Sequence, residues 1–505
     1  MKNMLKTIIL GLAITSGTLL AAATPPDSTV LARVGEWEHE SGSLLTVAWN
    51  NPAVNQLRRD YSLSHAGAGL DLHHESEAVD AQRGDHERTW RFDAATHMKH
   101  RASTLWGHAG YENSITRRIR WNETSDPALV QPYVLADAAG GDMKGERYSF
   151  MGGYASHSDA WLWGGELGYT AGLYYRDVDP RPRNVTGLLE VSAGGGRMLG
   201  SHYVAALALH FAKYKQTNNV AFYSELGNEK LFHLTGLGND YGRFAGTAYS
   251  TYYKGYRWGA TVNLHPRHGR GVALAATLSR LTLDNILTTL NKLPMARLAC
   301  NEVNAQAAWV DSAFSVGTRL QASRRVGTEN IFGDATASVY PLLTSLDYYH
   351  ENRVAVAVEG AWTPTWGRVA AELKPWLRYR HFNAIYAMPQ SQRQVNTLAW
   401  GLQAGGGWRT GRVLWHLSLG VAGHHPTSDV LRLAVAKPEL EGLTATLAAA
   451  HRHEASRLME VTAGLHATVA LTPRYALRAA VDYGHGRYHA GPRVHQLAAM
   501  VAVVF

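Results

Sequence analysis

The chain has 505 residues and a formal charge of +8, with 49 Gly, 24 Tyr and 15 Trp but a single Cys. One thiol excludes an intrachain disulfide framework, and interspersed charges with no polybasic tail argue against nucleic acid as a partner. Beyond the N-terminus no apolar run approaches the ~20 residues of a spanning helix, which excludes helical membrane insertion.

The opening stretch, MKNMLKTIILGLAITSGTLLAAATPPDS, places Lys2 and Lys6 before an apolar core from Ile8 to Ile14, with Ala21-Ala22-Ala23 as a cleavage site. This order predicts a secretory signal peptide over 1–23 and no lipid anchor, since no Cys follows the apolar core. Residues 24–60 read as a periplasmic or lumenal N-terminal segment. At about 35 residues it is too short for a substantial plug domain, which argues against energy coupling. Inside it lies Trp49-Asn50-Asn51-Pro52-Ala53, and Asn-Pro by itself is an ordinary turn signal that aims the chain into the first strand.

From 61 to 505 the period is two. Trp161, Trp163, Leu167 and Tyr169 oppose Gly164, Glu166, Gly168 and Thr170. Leu398, Trp400, Leu402 and Ala404 oppose Thr397, Gly401, Gln403 and Gly405. Val413, Trp415, Leu417, Leu419 and Val421 oppose Arg412, His416, Ser418 and Gly420, with Leu414 the one exception. Alternation marks strands with one apolar face. Soluble sandwiches alternate too, but here full charges sit mid-strand on one face and aromatics near the strand ends on the other. That is the layout of a membrane barrel with aromatic girdles and a polar interior.

The connections support the same fold. Short turns near Arg101 and at 156–159, 198–201, 266–269, 311–312, 364–367, 410–411 and 472–474 alternate with longer connections. These lie at 73–87, 113–145, 175–183, 215–242, 284–301, 323–352, 381–394, 424–456 and 486–492. The expected fold is an all-β transmembrane antiparallel barrel over 61–505, with short periplasmic turns, long extracellular loops and roughly 18 strands, within a range of 14–18.

Parity assigns the lumen. With Val369, Ala371, Leu373, Leu377 and Tyr379 facing lipid, Glu372, Lys374, Trp376, Arg378 and Arg380 face inward. Arg319, Arg353, Glu359, Arg412, His416, Glu460, Arg478 and Asp482 follow by the same rule. The candidate selectivity set is Arg353, Glu372, Lys374, Arg378, Arg380, Arg412, Arg478 and Asp482. It reads either as a water-filled path biased towards anions, because Arg offers a planar donor fork, or as an Arg–Glu ladder that stiffens the interior. Pro375 lacks a ladder donor and predicts a bulge or kink.

No catalytic or cofactor motif emerges. His73-His74, His424-His425 and the pair His451/His453 lack a spaced third ligand, so they read as solvated loop histidines with no metal. There is no G-x-S-x-G elbow, and Ser64 and His65 point to opposite faces of one strand. Gly194–Gly196 read as strand glycines, not a nucleotide loop. No enzyme and no cofactor are expected.

The chain closes on HQLAAMVAVVF. Leu497, Ala499, Val501, Val503 and Phe505 share one face, and the other face, Gln496 to Val504, is less polar than in neighbouring strands. This ending resembles the terminal strand signal by which the barrel-assembly machinery recognises its clients. The assembly machinery, outer-membrane lipid and lipopolysaccharide are therefore expected partners in the cell outer membrane. The whole chain resembles the uncharacterised outer-membrane barrel families of Gram-negative bacteria. Asn51, Pro52 and Ala53 also resemble a segment of the long-chain fatty-acid transporter-like family, where it lies in an N-terminal hatch inside the barrel.

These readings lead to an expected channel or transporter for a small solute. One alternative is a non-conducting scaffold with surface or secretion partners. Its warrant is the large share of chain in outer loops, notably 215–242, 323–352 and 424–456. The first two carry aromatics in or beside them (Tyr214, Phe222, Tyr223, Tyr340, Tyr348, Tyr349), which suits protein or glycan contact or folds inward to constrict the pore. A hydrophobic-solute transporter is the second alternative, and it requires a lateral opening or apolar pocket near Trp49.

Overall fold

The computed structural model describes residues 29–41, 44–225, 229–246, 250–336, 339–366, 369–435 and 437–505. The expected signal peptide lies outside the described residues. Eighteen long strands form one closed antiparallel sheet. They are β1 Leu63–Glu75, β2 His86–Lys99, β3 Ser103–Ile119, β4 Gly141–His157, β5 Trp161–Tyr175 and β6 Arg181–Leu199. Next come β7 Tyr203–Ala221, β8 Thr251–Pro266, β9 Gly271–Leu287, β10 Leu293–Val310, β11 Phe314–Phe332 and β12 Leu342–Trp362. The last six are β13 Val369–Tyr386, β14 Ser391–Thr410, β15 Val413–Arg432, β16 Leu458–Ala470, β17 Ala476–Tyr488 and β18 Arg493–Val504. Each strand pairs with its sequence neighbours, and β18 closes on β1 from His65↔Val504 to Glu75↔Val494. The seam ends with Ser64 and Phe505 exchanging both backbone hydrogen bonds, 2.8 and 2.9 Å. Closure leaves no edge, and this satisfies the backbone in lipid without disulfides.

The outward face carries the apolar residues that alternation assigns to it. Val501, Val503 and Phe505 are exposed on the closing strand, and Leu497 stands beside Leu72 across the seam. At the short-turn end aromatic rings pair at strand ends and turns: Tyr154 with Trp163, Trp309 with Phe314, Trp362 with Trp366 and Tyr475 with Phe505, centroids 5.3 to 6.1 Å apart. From Trp161 to Tyr169 the apolar face of β5 runs about 26 Å along the strand, the scale of the apolar band of such barrels.

Two expectations need correction. Several long connections are shorter than the pattern implied, because strands continue beyond the apolar band. The connection expected at 284–301 is a turn at 288–292 between β9 and β10. Above the bilayer the outward residues meet water, so the apolar alternation lapses while the ladder goes on. Pro375 makes no bulge: Glu359↔Trp376 and Trp362↔Leu373 keep one register, and the β12–β13 ladder merely skips the pairs between them.

Candidate functional site

The lumen is filled from both ends. At the short-turn end residues 29–41 and 44–62 lie inside the barrel. Helix α1 (Val30–Ser41) presents Val30, Leu31 and Val34 on one face, a helical spacing. They bury against Leu63, Ala476 and Val504, with Leu414 packed beside them. Leu45, Val47 and Ala48 then meet Ala273, Ala275 and Ala308 of β9 and β10, and Ala53 and Val54 meet Leu162, Val204 and Ala206. The segment is too short for a plug domain, yet it fills the mouth without one. Run across the mouth as thin turns against an alanine-rich wall, it needs no domain of its own.

Asn51, Pro52 and Ala53 sit buried in this plug. Asn51 caps the turn Pro52–Leu57, its side chain accepting from the Ala53 N–H at 3.0 Å with Pro at the first position. Its amide donates to Asn263 (3.0 Å), which in turn donates to the Ala48 carbonyl at 3.0 Å. The wall yields where the turn passes: a Cβ on Gly164 would stand 2.7 Å from the Pro52 carbonyl oxygen, and one on Gly194 would strike Asn51 Oδ1. Beside Trp49, β8 and β9 pair without a break from Thr251↔Leu287 to Leu264↔Leu274, so no lateral gap opens between these strands.

At the long-loop end the connections fold inward as a cap. Segment Leu135–Ala136 pairs with Phe232–Gly236, and helix α2 (Glu441–Glu454) packs over them. Trp121, Val130, Tyr133, Phe232, Leu234, Leu440 and Leu443 form one core with Tyr214, Tyr253, Leu283 and Leu298 of the wall. Tyr214 and Tyr349 are thus buried, whereas Tyr223 is exposed. A fully buried ion pair, Arg176 with Asp137 at 3.0 Å, lies beneath this core. Next to it, burial and then the Asp137 charge push the Glu123 carboxyl well above its ordinary range. The loop histidines also need correction: His451 and His453 are buried on α2, while His73 and His424 lie within β1 and β15. A helix in the 433–457 connection and the long strand extensions account for both.

The charged wall residues mostly meet partners of opposite sign. Arg353 holds Glu351 at 2.7 Å; Arg319 and Arg378 share Glu359 at 3.1 and 3.9 Å. Lys374 bonds Glu372 at 2.5 Å, and His416 Nε2 stands 3.8 Å from the same carboxylate. Arg478 bonds Glu38 of α1 at 2.5 Å and covers the Trp37 ring at 4.7 Å. His466 lies 3.2 Å from Asp482 and 3.4 Å from Glu38. Burial works to raise the Glu38 carboxyl, but the contacts from His466 and Arg478 outweigh it and hold it below the usual range. Arg380 is exposed and has no ion pair among the described residues. Arg412 is off the wall altogether, in the two-residue turn between β14 and β15. Glu372, Lys374, Arg478 and Asp482 therefore join one network, and Arg353, Arg378 and Arg380 stand apart from it.

A cavity of about 680 Å³ lies against β1–β3 and β14–β18. Asp71, Glu75, Glu87 and Asp482 line it together with His73, His86 and Arg83. A smaller recess of about 170 Å³ includes Glu166, Glu190 and Ser192. Here Ser192 bonds His210 (2.8 Å), but His210 is backed by Thr261 at 2.7 Å and by no carboxylate. Among the described residues no acid orients this imidazole, so the contacts form a hydroxyl–imidazole–hydroxyl relay.

A family model matches residues 52–503. The chain belongs to DUF6850, a family of unknown function. No curated protein matches it. Among solved structures it is similar to the ferric enterobactin receptor of Pseudomonas aeruginosa, with 9% identity, 87% of this chain and 80% of that one covered, and a TM-score of 0.37. It is also similar to the copper transporter OprC (9%, 88% and 81%, TM-score 0.38). A bacterial polysaccharide outer membrane secretin matches at 9%, 88% and 98%, with a TM-score of 0.36.

Of the residues that line the cavity, Asp482 was among the parity candidates; Asp71, His73 and Glu75, inward on β1 with His65, were not named for the lumen but were readable by the same rule. Glu38 was not. Its place depends on a helix that doubles back into the lumen, and no strand period announces that.

Proposed function

We propose that this outer-membrane barrel is a gated conduit for a small polar or cationic solute, held closed by the plug on the periplasmic side and by the cap outside. The observation that carries this reading is the lumen cavity, where four carboxylates face one arginine while Arg319, Arg353, Arg378 and Arg478 of the wall are held in ion pairs. Such a lining favours cations over anions. The ion pairs of Arg319, Arg353, Arg378 and Arg478 support the ladder reading of these arginines over the anion path.

Planar-bilayer recording tests it. The full chain is expected to conduct little and intermittently, Gly194→Val to open more often, and the open state to prefer K⁺ over Cl⁻. Asp71→Asn with Glu87→Gln and Asp482→Asn should reduce that preference. Anion selectivity in the open state refutes the cation reading.

The scaffold reading has one observation in its favour, that both mouths are filled. It gains if Gly194→Val stays silent in the bilayer and a stable protein partner copurifies with the barrel.

A further inference from the structure

Where α1 meets the wall, Glu38, His416 and His466 bring one potential ligand atom each to within 4.8 Å of one another. His416 and His466 are direct cross-strand partners on β15 and β16, with rings 5.4 Å apart and nearly parallel. Glu38 Oε1 stands 3.4 Å from His466 Nδ1, close to the donor separation that a tetrahedral ion with bonds of about 2.0–2.1 Å requires. Two further features suit an ion. Asp482 lies against His466 Nε2 at 3.2 Å, so the ring donates there and leaves the Nδ1 lone pair towards Glu38, the arrangement of a carboxylate-oriented metal ligand. Independently, His416 Nδ1 is buried with no hydrogen-bond partner among the described residues. Ser418, Gly464 and Asp482 border the large cavity, so the cluster is reached from the lumen.

We propose that this junction is a binding site for a divalent transition-metal ion, with His416, His466 and Glu38 as ligands. Two imidazoles and one carboxylate suit Zn²⁺, Cu²⁺ or Ni²⁺ and disfavour Ca²⁺ and Mg²⁺, which seek all-oxygen shells. In the arrangement seen here the cation serving these groups is Arg478: its Nη1 bonds Glu38 at 2.5 Å and its Nη2 lies 3.1 Å from His466 Nδ1. Metal entry exchanges one cation for another at the plug's anchor. Because Glu38 belongs to the plug and both histidines to the wall, the ion ties the two together through bonds in place of a guanidinium contact. The site does not depend on the barrel being conductive.

Equilibrium titration of the purified full chain with Zn²⁺, and with Co²⁺ for its ligand-field spectrum, tests the site. The chain has 25 His, so the variant Glu38→Gln/His416→Ala/His466→Ala defines the background. Expected is one Zn²⁺ beyond that background, a tetrahedral Co²⁺ spectrum, and no competition from Mg²⁺ in excess. Arg478→Gln removes the competing guanidinium and should bind Zn²⁺ several-fold tighter, an outcome that misfolding does not mimic. An isotherm for the triple variant that superimposes on the wild type overturns the proposal. Zn²⁺ binding by Arg478→Gln that is no tighter than wild type removes Arg478 as the competitor. If the triple variant fails to fold, the Co²⁺ spectrum of the wild type decides: an octahedral one overturns the site.

Discussion

Plug and cap solve the same problem, a lumen too wide for wall side chains to fill, with opposite means. The plug is a thin chain that relies on a wall cut back to glycine and alanine: Gly164, Gly194, Ala206, Ala273, Ala275 and Ala308. Its specificity is polar, through Asn51, Asn263 and the Arg478–Glu38 pair. The cap is thick and meets large wall side chains, Tyr214, Tyr253, Leu283 and Leu298, around one apolar core with a buried ion pair beneath. Wall side-chain size thus records what lies inside. The two fillings should also fail differently, the cap as a cooperative core and the plug as a strip that peels away.

The largest expected effect is in the cap. Arg176→Ala leaves Asp137 buried without its counter-charge, a loss of about 3–5 kcal/mol. Hydrogen exchange over 121–137 should rise sharply while the barrel still resists heat in detergent. Loss of the whole barrel at once would erase the distinction between cap and wall. Next comes Gly194→Val, where a side chain meets Asn51 and overpacking costs about 1–3 kcal/mol. Protease access to residues 29–62 should increase with cap protection unchanged, and equal exposure of both ends would break the contrast.

A smaller effect concerns pH. The folded Glu123 carboxyl is raised, chiefly by burial and then by Asp137, so as pH climbs through the ordinary carboxylate range the unfolded loop loses its proton first. Cap stability is fullest at low pH and falls as pH rises until the folded carboxyl ionises too. Glu123→Gln should flatten that fall in proteolysis rates of the 120–140 loop measured from pH 5 to 9; a slope equal to wild type would exonerate Glu123. The smallest effect is expected at the wall arginines. Arg380→Glu should move the reversal potential modestly towards cations and Arg378→Glu less, because Arg378 already shares Glu359. The reverse order would show that ion pairing does not silence these charges.

The lipid face, the strand number and the seam at Phe505 were legible in the sequence because a bilayer imposes one rule, apolar outward every second residue. The interior was not, since the lumen face adapts to whatever fills it. Leu414, the one break in the β15 pattern, packs against α1. The weakly polar inner face of β18 is explained in the same way, with Val504 under the plug helix. Each looked like noise because its partner lies hundreds of residues away. The proposed metal ligands are hidden in the same way: His416 and His466 face each other from neighbouring strands, and Glu38 comes from the plug.

The position of α1 bears on how the molecule is made. Val30, Leu31 and Val34 rest on both strands of the seam, through Leu63 of β1 and Val504 of β18, and the Val30 N–H bonds the Pro473 carbonyl at 2.9 Å in the turn before β17. The helix therefore has no complete seat until the last strand arrives, and once that strand pairs with β1 the helix lies inside a sealed cylinder. Closing the seam completes the helix's seat, and a chain halted before Val504 would lack both its door and the frame that holds it.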